Sequence, residues 1–360
     1  MRHNIFTLAA ITILLACTSP SQACTGITLK AADGSTVVAR TIEWNASDLN
    51  SMLVVVPRGY TQRLFSPSGK KDGMELTSKM GYIGLATELE EFIAEGLNEE
   101  GLSAGLFYFP AYGEYEKYRP ENRSTTVGDL QLVSWILGNF KTVDEVVAAF
   151  GGIHVVTIDS RASTAHWRIA DKSGRQVVLE IVGGKPVFHE NSLGVLTNAP
   201  GFEWHSTNLN NYVNLYSGTA VPKDMGAVRL RSFGSGSGML GLPGDFTPPS
   251  RFIRAAFYQS TAPRLATADK TVMQCFQILN NFDIPVGTGI KEGAEIPDIP
   301  SATQWTSATD IVGRKIYYRT MYNSDIRCID LGTVDFAKTK YQVMPLDKVK
   351  KQHVTVLNIK

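Results

Sequence analysis

Cys24 is the residue in this sequence best placed for covalent chemistry. It follows Ser21-Gln22-Ala23, and Ser21 and Ala23 are the small residues a signal peptidase accepts before its cut. Cut there, the chain would begin with a cysteine carrying both a thiol and a free α-amino group. Their ordinary pKa values are about 8.5 and about 7.7 to 8.0. The amine can then take the thiol's proton near neutral pH without a histidine, making one residue both nucleophile and base. An odd thiol in an exported chain asks for such a reactive role.

The residues ahead of Cys24 fit export. Arg2 supplies the positive start, and Ile5–Ala16 is an apolar run too short to span a bilayer. Leu14-Leu15-Ala16-Cys17 resembles a lipoprotein box, which would place a lipid on Cys17. The two readings conflict, because a lipidated Cys17 leaves Cys24 internal unless self-cleavage or a second protease releases it. Simple export of residues 24–360, to the periplasm or outside the cell, is the preferred expectation, with lipidation the open alternative.

Composition excludes several classes. The chain is 43% hydrophobic and 19% charged, with formal charge +1, and Arg2 is the leader's only formal charge. The mature chain is therefore neutral overall, which argues against nucleic acid as a partner. No later segment is long and apolar enough to cross a membrane. Neither C-x-x-C nor H-x-x-x-H occurs, so no metal is expected. Cys275 and Cys328 could pair in an oxidising compartment. The apolar neighbours of Cys275 favour two buried free thiols instead.

Three other patterns invite misreading. Gly236-Ser237-Gly238-Met239-Leu240-Gly241 fits G-x-G-x-x-G, but Leu242-Pro243-Gly244-Asp245 follows where a dinucleotide site needs a helix. Gly101-Leu102-Ser103-Ala104-Gly105 fits G-x-S-x-G, but a turn precedes Ser103 and strand-like residues follow, the reverse of a nucleophile elbow. His154, His166, His189, His205 and His353 are scattered among strand and loop patterns and read as structural. A papain-like Cys–His pair stays formally open, although its local signature around Cys24 is absent.

The elements that must position Cys24 are mostly strands. Thr25–Lys30 and Ser35–Trp44 flank an Asp33-Gly34 turn. Ser51–Pro57, Ile83–Ala86, Glu91–Leu97 and Leu102–Phe107 follow. The aromatic stretch Phe107–Tyr118 either lines an apolar pocket or folds back on the core. Helices are expected at Val127–Phe140, capped by Thr125 or Thr126, and at Val143–Phe150, capped by Thr142. Strands return at Ile153–Ile158, Ala165–Ala170, Gln176–Val182 and Pro186–His189. A short helix is expected at Leu209–Leu215 and a long ordered loop at Leu230–Pro249. Helices at Arg251–Gln259 and Lys270–Asn281 precede strands at Trp305–Ile311, Lys315–Tyr322 and Ile326–Leu331, with a final strand at Val354–Ile359. Strands and helices come in runs, not in βαβ alternation. That predicts an α+β fold of antiparallel sheets covered by helices, and no linker divides it.

Five blocks in one order resemble the choloylglycine hydrolase family, the N-terminal nucleophile hydrolases that include conjugated bile salt hydrolases and penicillin V acylases. They are Cys24-Thr25-Gly26, Arg40 to Trp44, Gly96 to Leu102, Leu196 to Pro200 with Phe202, Trp204 and His205, and Gly241 to Phe252. The resemblance implies a four-layer αββα sandwich and cofactor-free hydrolysis of a non-peptide amide. It implies Cys24 as nucleophile, Arg40 and Arg251 as arginines beside it, and Asn198 as an oxyanion donor, with the Tyr108 backbone N–H completing that hole. For Arg40 a surface salt bridge is the plainer account, but a lone arginine amid Val37–Ile42 favours a buried partner. Glu43 stands where the family generally has an aspartate that holds the α-amino group, and the longer side chain is a departure. Tyr108 tends to be asparagine in bile salt hydrolases and tyrosine in penicillin V acylases. The implied substrate is a small amide with an apolar acyl group, gripped by loops near Phe107–Tyr118 and Ser51–Arg63. Bile salts are the first expectation, with penicillin V or another N-acyl amide as the alternative. The resemblance also implies a homo-oligomer, with a tetramer expected. An exported binding protein that has lost catalysis is the rival from a different class.

Overall fold

The computed structural model describes residues 22–44, 47–159 and 163–359. The leader up to Ser21, with Cys17, lies outside the described residues. The chain opens with β1 (Gln22–Lys30) and β2 (Thr36–Trp44), then β3 (Met52–Val56). The short pair β4 (Thr61–Arg63) and β5 (Glu75–Thr77) precedes β6 (Tyr82–Ala86), β7 (Ile93–Asn98) and β8 (Leu102–Tyr108). A short β9 (Thr126–Gly128) leads to α1 (Leu132–Asn139) and α2 (Val143–Ala149). Next come β10 (His154–Val156), β11 (Ala165–Asp171), β12 (Gln176–Val182) and β13 (Lys185–Glu190). Helix α3 (Phe202–Asn208), the hairpin β14 (Lys223–Met225) and β15 (Val228–Leu230), and helices α4 (Pro248–Thr261) and α5 (Ala268–Leu279) follow. The last strands are β16 (Thr303–Asp310), β17 (Lys315–Thr320), β18 (Asn323–Asp330) and β19 (Gln342–Pro345).

Two antiparallel sheets carry the fold. One has the order β1-β2-β16-β17-β18, the other β13-β12-β11-β8-β7-β6-β3-β19. Both faces of the central strands are covered, so β2 is buried along almost its whole length. One apolar cluster joins Ile27, Val37 and Ala39 of the first sheet, Leu85, Leu97 and Phe107 of the second, and Ala255, Val272 and Phe276 of α4 and α5. A second joins the outer face of the larger sheet to Leu132, Ile136, Leu137, Val143 and Val146 of α1 and α2. The layers are therefore helix, sheet, sheet, helix, as expected for αββα.

The departures from the sequence reading have physical causes. The helix expected from Val127 begins only at Leu132, because Thr126–Gly128 pairs with His154–Val156 as a parallel ladder. That partner is distant in sequence and leaves no local period. Helix α3 was not expected, and only Leu209–Tyr212 of the helix anticipated after it forms, as a 3-10 turn. Helix α4 starts at Pro248, ahead of the expected Arg251, with prolines in its first turn, where their missing N–H groups cost nothing. Ser51–Arg63 does not supply a gripping loop at Met52–Val56, which is a core strand between β6 and β19. No strand forms at Val354–Ile359, whose apolar side chains are exposed. Alternation alone gives no partner, and β19 already occupies the edge beside β3. Of the two free thiols, Cys275 is buried as expected but Cys328 is exposed. Around Phe107–Tyr118, Phe107 and Phe109 are buried in the core and the Tyr115 hydroxyl is bonded to the Ala165 carbonyl, whereas Tyr112 is exposed. The folded-back reading of that stretch holds.

Candidate active site

Strand register brings the site together. In the β1–β2 hairpin, Ala23 lies opposite Glu43, Cys24 opposite Ile42 and Gly26 opposite Arg40. Arg40 therefore sits diagonally from Cys24 on one face of the pair. On the other flank of β1, Gly26 and Leu196 form an antiparallel bridge, with Gly26 N–H donating to the Leu196 carbonyl at 2.6 Å. Two residues further along this pairing, Asn198 meets Cys24. Gly26 must be small here, since a Cβ would lie 2.9 Å from Phe107 Cζ and 3.3 Å from Arg168 Nη1.

Arg40 is fully buried, and its Nη2 donates to Cys24 Sγ at 2.8 Å. Its other donors go to the carbonyls of Thr41, Ala94 and Leu106. Glu95 Oε2 lies 3.6 Å from Arg40 Nη1, and Glu95 Oε1 accepts from Arg168 Nη2 at 2.9 Å. A carboxylate thus sits between two buried guanidiniums, with the Arg40 guanidinium also 4.0 Å from the centre of the Phe107 ring. The sequence reading missed Glu95 and Arg168. Glu95 is the one charge in β7, the kind of signal that pointed to a buried partner for Arg40, whereas Arg168 shares β11 with His166 and Asp171.

Asn198 is buried, and its Oδ1 accepts from Cys24 N–H at 2.9 Å and Arg251 Nη2 at 2.6 Å. Those contacts fix the orientation of the amide, and one of its N–H groups donates to the Tyr108 carbonyl at 2.7 Å. The Tyr108 backbone N–H is close enough to the Cys24 sulfur to pull its thiol down. Arg251, in the first turn of α4, also donates from Nη1 to the Cys24 carbonyl and to Thr25 Oγ1, and from Nε to the Phe246 carbonyl. Cys24, Arg40, Glu43, Asn198, Arg251 and Tyr108 therefore form one cluster.

Glu43 is buried, and neither of its carboxylate oxygens has a hydrogen-bond partner. Burial pushes its carboxyl up to about 7, against the pull of Arg251. This buried acid lies opposite Ala23, beside the Ala23–Cys24 bond. Ala23 itself packs with Phe246, Ile284 and Ala302. With Ala23 still joined, burial raises the Cys24 thiol above its ordinary range, Arg40 lowers it and Glu43 adds to the rise. Arg40 thus favours the thiolate, but burial outweighs it in the uncut chain.

Ser103 lies in β8, with its hydroxyl 3.5 Å from Glu95 Oε1, and the glycine-rich run at 236–241 carries only a 3-10 turn at Ser237–Met239. Neither is a catalytic motif. A cavity of about 640 Å³ is lined by Ala220, Leu230, Phe233 and Leu240 and contains none of the clustered residues. No group of three metal-ligating side chains occurs among the described residues.

The model of linear amide C–N hydrolases of the choloylglycine hydrolase family matches residues 24–343, starting at Cys24 itself. The chain belongs to the choloylglycine hydrolase family. A bile salt hydrolase/transferase of Clostridium perfringens is 34% identical over 317 residues, covering 86% of this chain and 92% of that protein. A penicillin V acylase of Pectobacterium atrosepticum is 26% identical over 330 residues, covering 86% and 81%. A crystal structure of a conjugated bile acid hydrolase variant from Clostridium perfringens matches with a TM-score of 0.80 at 30% identity, over 93% of this chain and 100% of that one. The penicillin V acylase of Agrobacterium tumefaciens shares the fold, with a TM-score of 0.69 at 23% identity over 89% of this chain and 90% of that one. This choloylglycine hydrolase is thus an N-terminal nucleophile fold and a linear amide hydrolase.

Proposed function

We propose that the chain hydrolyses the amide of conjugated bile salts, releasing glycine or taurine, with Cys24 as N-terminal nucleophile. The observation that carries this reading is the convergence of Arg40, Asn198, Arg251 and the Tyr108 N–H on Cys24, in a chain 34% identical to a bile salt hydrolase/transferase. Maturation would remove residues 1–23, and the start of the family match at residue 24 supports that cut. The new α-ammonium then stands near the unpaired carboxylate of Glu43.

The α-amine takes the thiol's proton, and the thiolate attacks the amide carbonyl carbon, forming a C–S bond and an oxyanion. The free N–H of Asn198 and the Tyr108 N–H hold that oxygen, each such donor being worth about 2.7 to 4 kcal/mol. The Cys24 ammonium gives its proton to the leaving nitrogen as the C–N bond breaks. The amine, neutral again, takes a proton from water as the hydroxide attacks the thioester. The C–S bond breaks, the acid leaves and the thiolate is restored. No step calls for a cofactor.

Penicillin V is the second reading, supported by Tyr108 and by the penicillin V acylase relative. N-terminal sequencing, followed by glycocholate, taurocholate and penicillin V side by side, tests the proposal. The expected result is Cys24 as first residue, bile salt cleavage, and loss of activity in Cys24→Ser. Persistent peptide ahead of Cys24 in active enzyme would refute it. A mature chain that binds these amides without cleaving them would favour the binding-protein alternative. The homo-oligomer, with a tetramer expected, is supported by exposed Val213, Val221, Phe233 and Leu240 around the β14–β15 hairpin, and light scattering gives its mass.

A further inference from the structure

The segment that carries Asn198 is braced on its far side by two histidines. His205 Nε2 donates to the Asn198 carbonyl at 2.9 Å, and His166 Nε2 donates to the Thr197 carbonyl at 3.0 Å. His205 goes no further, since its Nδ1 is buried without a partner and its ring lies on Phe252 at 4.7 Å. His166 continues the chain of contacts. Its Nδ1 meets Glu180 Oε1 at 3.1 Å, so both ring nitrogens face oxygens that can accept a proton's bond. Glu180 Oε1 also accepts the Phe202 N–H at 2.8 Å, and His189 Nε2 lies 3.4 Å from Oε2. His166 and Glu180 are both buried.

The same ring reaches the other limb of the site. It stacks on Phe109 at 4.3 Å and 8°, and Phe109 follows Tyr108 in the chain. His166 therefore touches Thr197, next to Asn198, and Phe109, next to Tyr108. Its register partner is Phe107, on the other side of Tyr108. Arg40, by contrast, is held by Thr41, Ala94, Leu106 and Glu95, with no contact to His166.

We propose that His166, oriented by Glu180, is a positioning residue that sets the spacing between the Asn198 carboxamide and the Tyr108 N–H. The proposal rests on reading those two groups as the oxyanion donors. A misplacement of about 1 Å at such a site can cost about a hundredfold in rate. Arg40, which lowers the Cys24 thiol, keeps its own carbonyl and carboxylate partners, so thiol reactivity should change less than turnover.

The test uses the mature enzyme and its His166→Ala and Glu180→Gln variants. Steady-state turnover of glycocholate, taurocholate or penicillin V, whichever is cleaved, is compared with the rate of Cys24 alkylation by iodoacetamide. His166→Ala is expected to lower kcat about tenfold to a hundredfold, with KM and alkylation rate within about twofold of wild type. Glu180→Gln keeps the shape of the side chain, guards against a folding defect, and should show the same split at smaller size. Unchanged kcat in both variants would overturn the proposal, as would alkylation that slows in step with kcat. Turnover that survives Cys24→Ser would overturn Cys24 as the nucleophile, and this proposal with it.

Discussion

Arg40 and Glu43 have opposite effects on one thiol, and each can be tested alone. Arg40 lowers the Cys24 thiol, so Arg40→Gln should move the pH midpoint of Cys24 alkylation upward. Turnover at neutral pH should fall with it. Glu43 has a folded value of about 7 against an ordinary 4.5. In the uncut chain its contribution to stability is therefore full below pH 4.5 and lost as pH rises through 7. Melting of the chain with residues 1–23 attached should show that loss, and Glu43→Gln should remove it. Freeing the Cys24 amine places a cation beside the carboxylate, and the dependence should then reverse. A buried acid whose oxygens have no hydrogen bond has little structural use, and its position opposite Ala23 fits the proposed cut before Cys24.

At the scale of elements, the polar group at the centre of the molecule links the sheets. Glu95 on β7 lies between Arg40 of β2 and Arg168 of β11, and Arg168 Nη1 donates back to the Ala39 carbonyl of β2 at 3.1 Å. Glu95→Ala would leave two guanidiniums buried near each other without their anion, a loss of about 3 to 5 kcal/mol. Urea unfolding would measure it. Gly105 opposite Glu95 has no room for a side chain, because a Cβ would come within 2.2 Å of Glu95 Oε2. Gly105→Ala should therefore cost about 1 to 3 kcal/mol and also slow turnover, as Arg40 loses its alignment. Ser103 shares that neighbourhood through Glu95, which accounts for its burial without making it a nucleophile.

For the whole molecule, the response to acid is a balance of buried groups of opposite sign. Burial raises the Glu180 carboxyl, but bonds from His166 and His189 hold it at about 2, below an ordinary 4.5. Its contribution is present above pH 4.5 and lost as pH falls through 2. Burial drives His205 down to about 4 from an ordinary 6.5. Its contribution is present above pH 6.5 and lost as pH falls through 4. Glu180 and His205 therefore contribute a drop in melting temperature on acidification, against the opposite contribution of buried Asp129, raised to about 7 from an ordinary 3.8. His205→Gln keeps a donor for the Asn198 carbonyl and should flatten the part of that drop between pH 6.5 and 4.

The sequence alone determined the α+β class, most strands of the two sheets and the helices α2, α4 and α5, and it singled out Cys24 as the candidate nucleophile. These follow from local information: a small-residue cut site, alternation, caps and turn residues. It also pointed to Arg40, Glu43, Asn198, Arg251 and Tyr108 through ordered blocks. Only the tertiary structure decided what those residues touch. Glu95, Arg168 and His166 reach partners 31 to 73 residues away, across two sheets and the segment bridged from Gly26 to Leu196. No window of sequence holds both ends of such a contact. The same reason explains β9, whose partner lies beyond two helices, and the unpaired tail at 354–359, where an alternating pattern met no free edge.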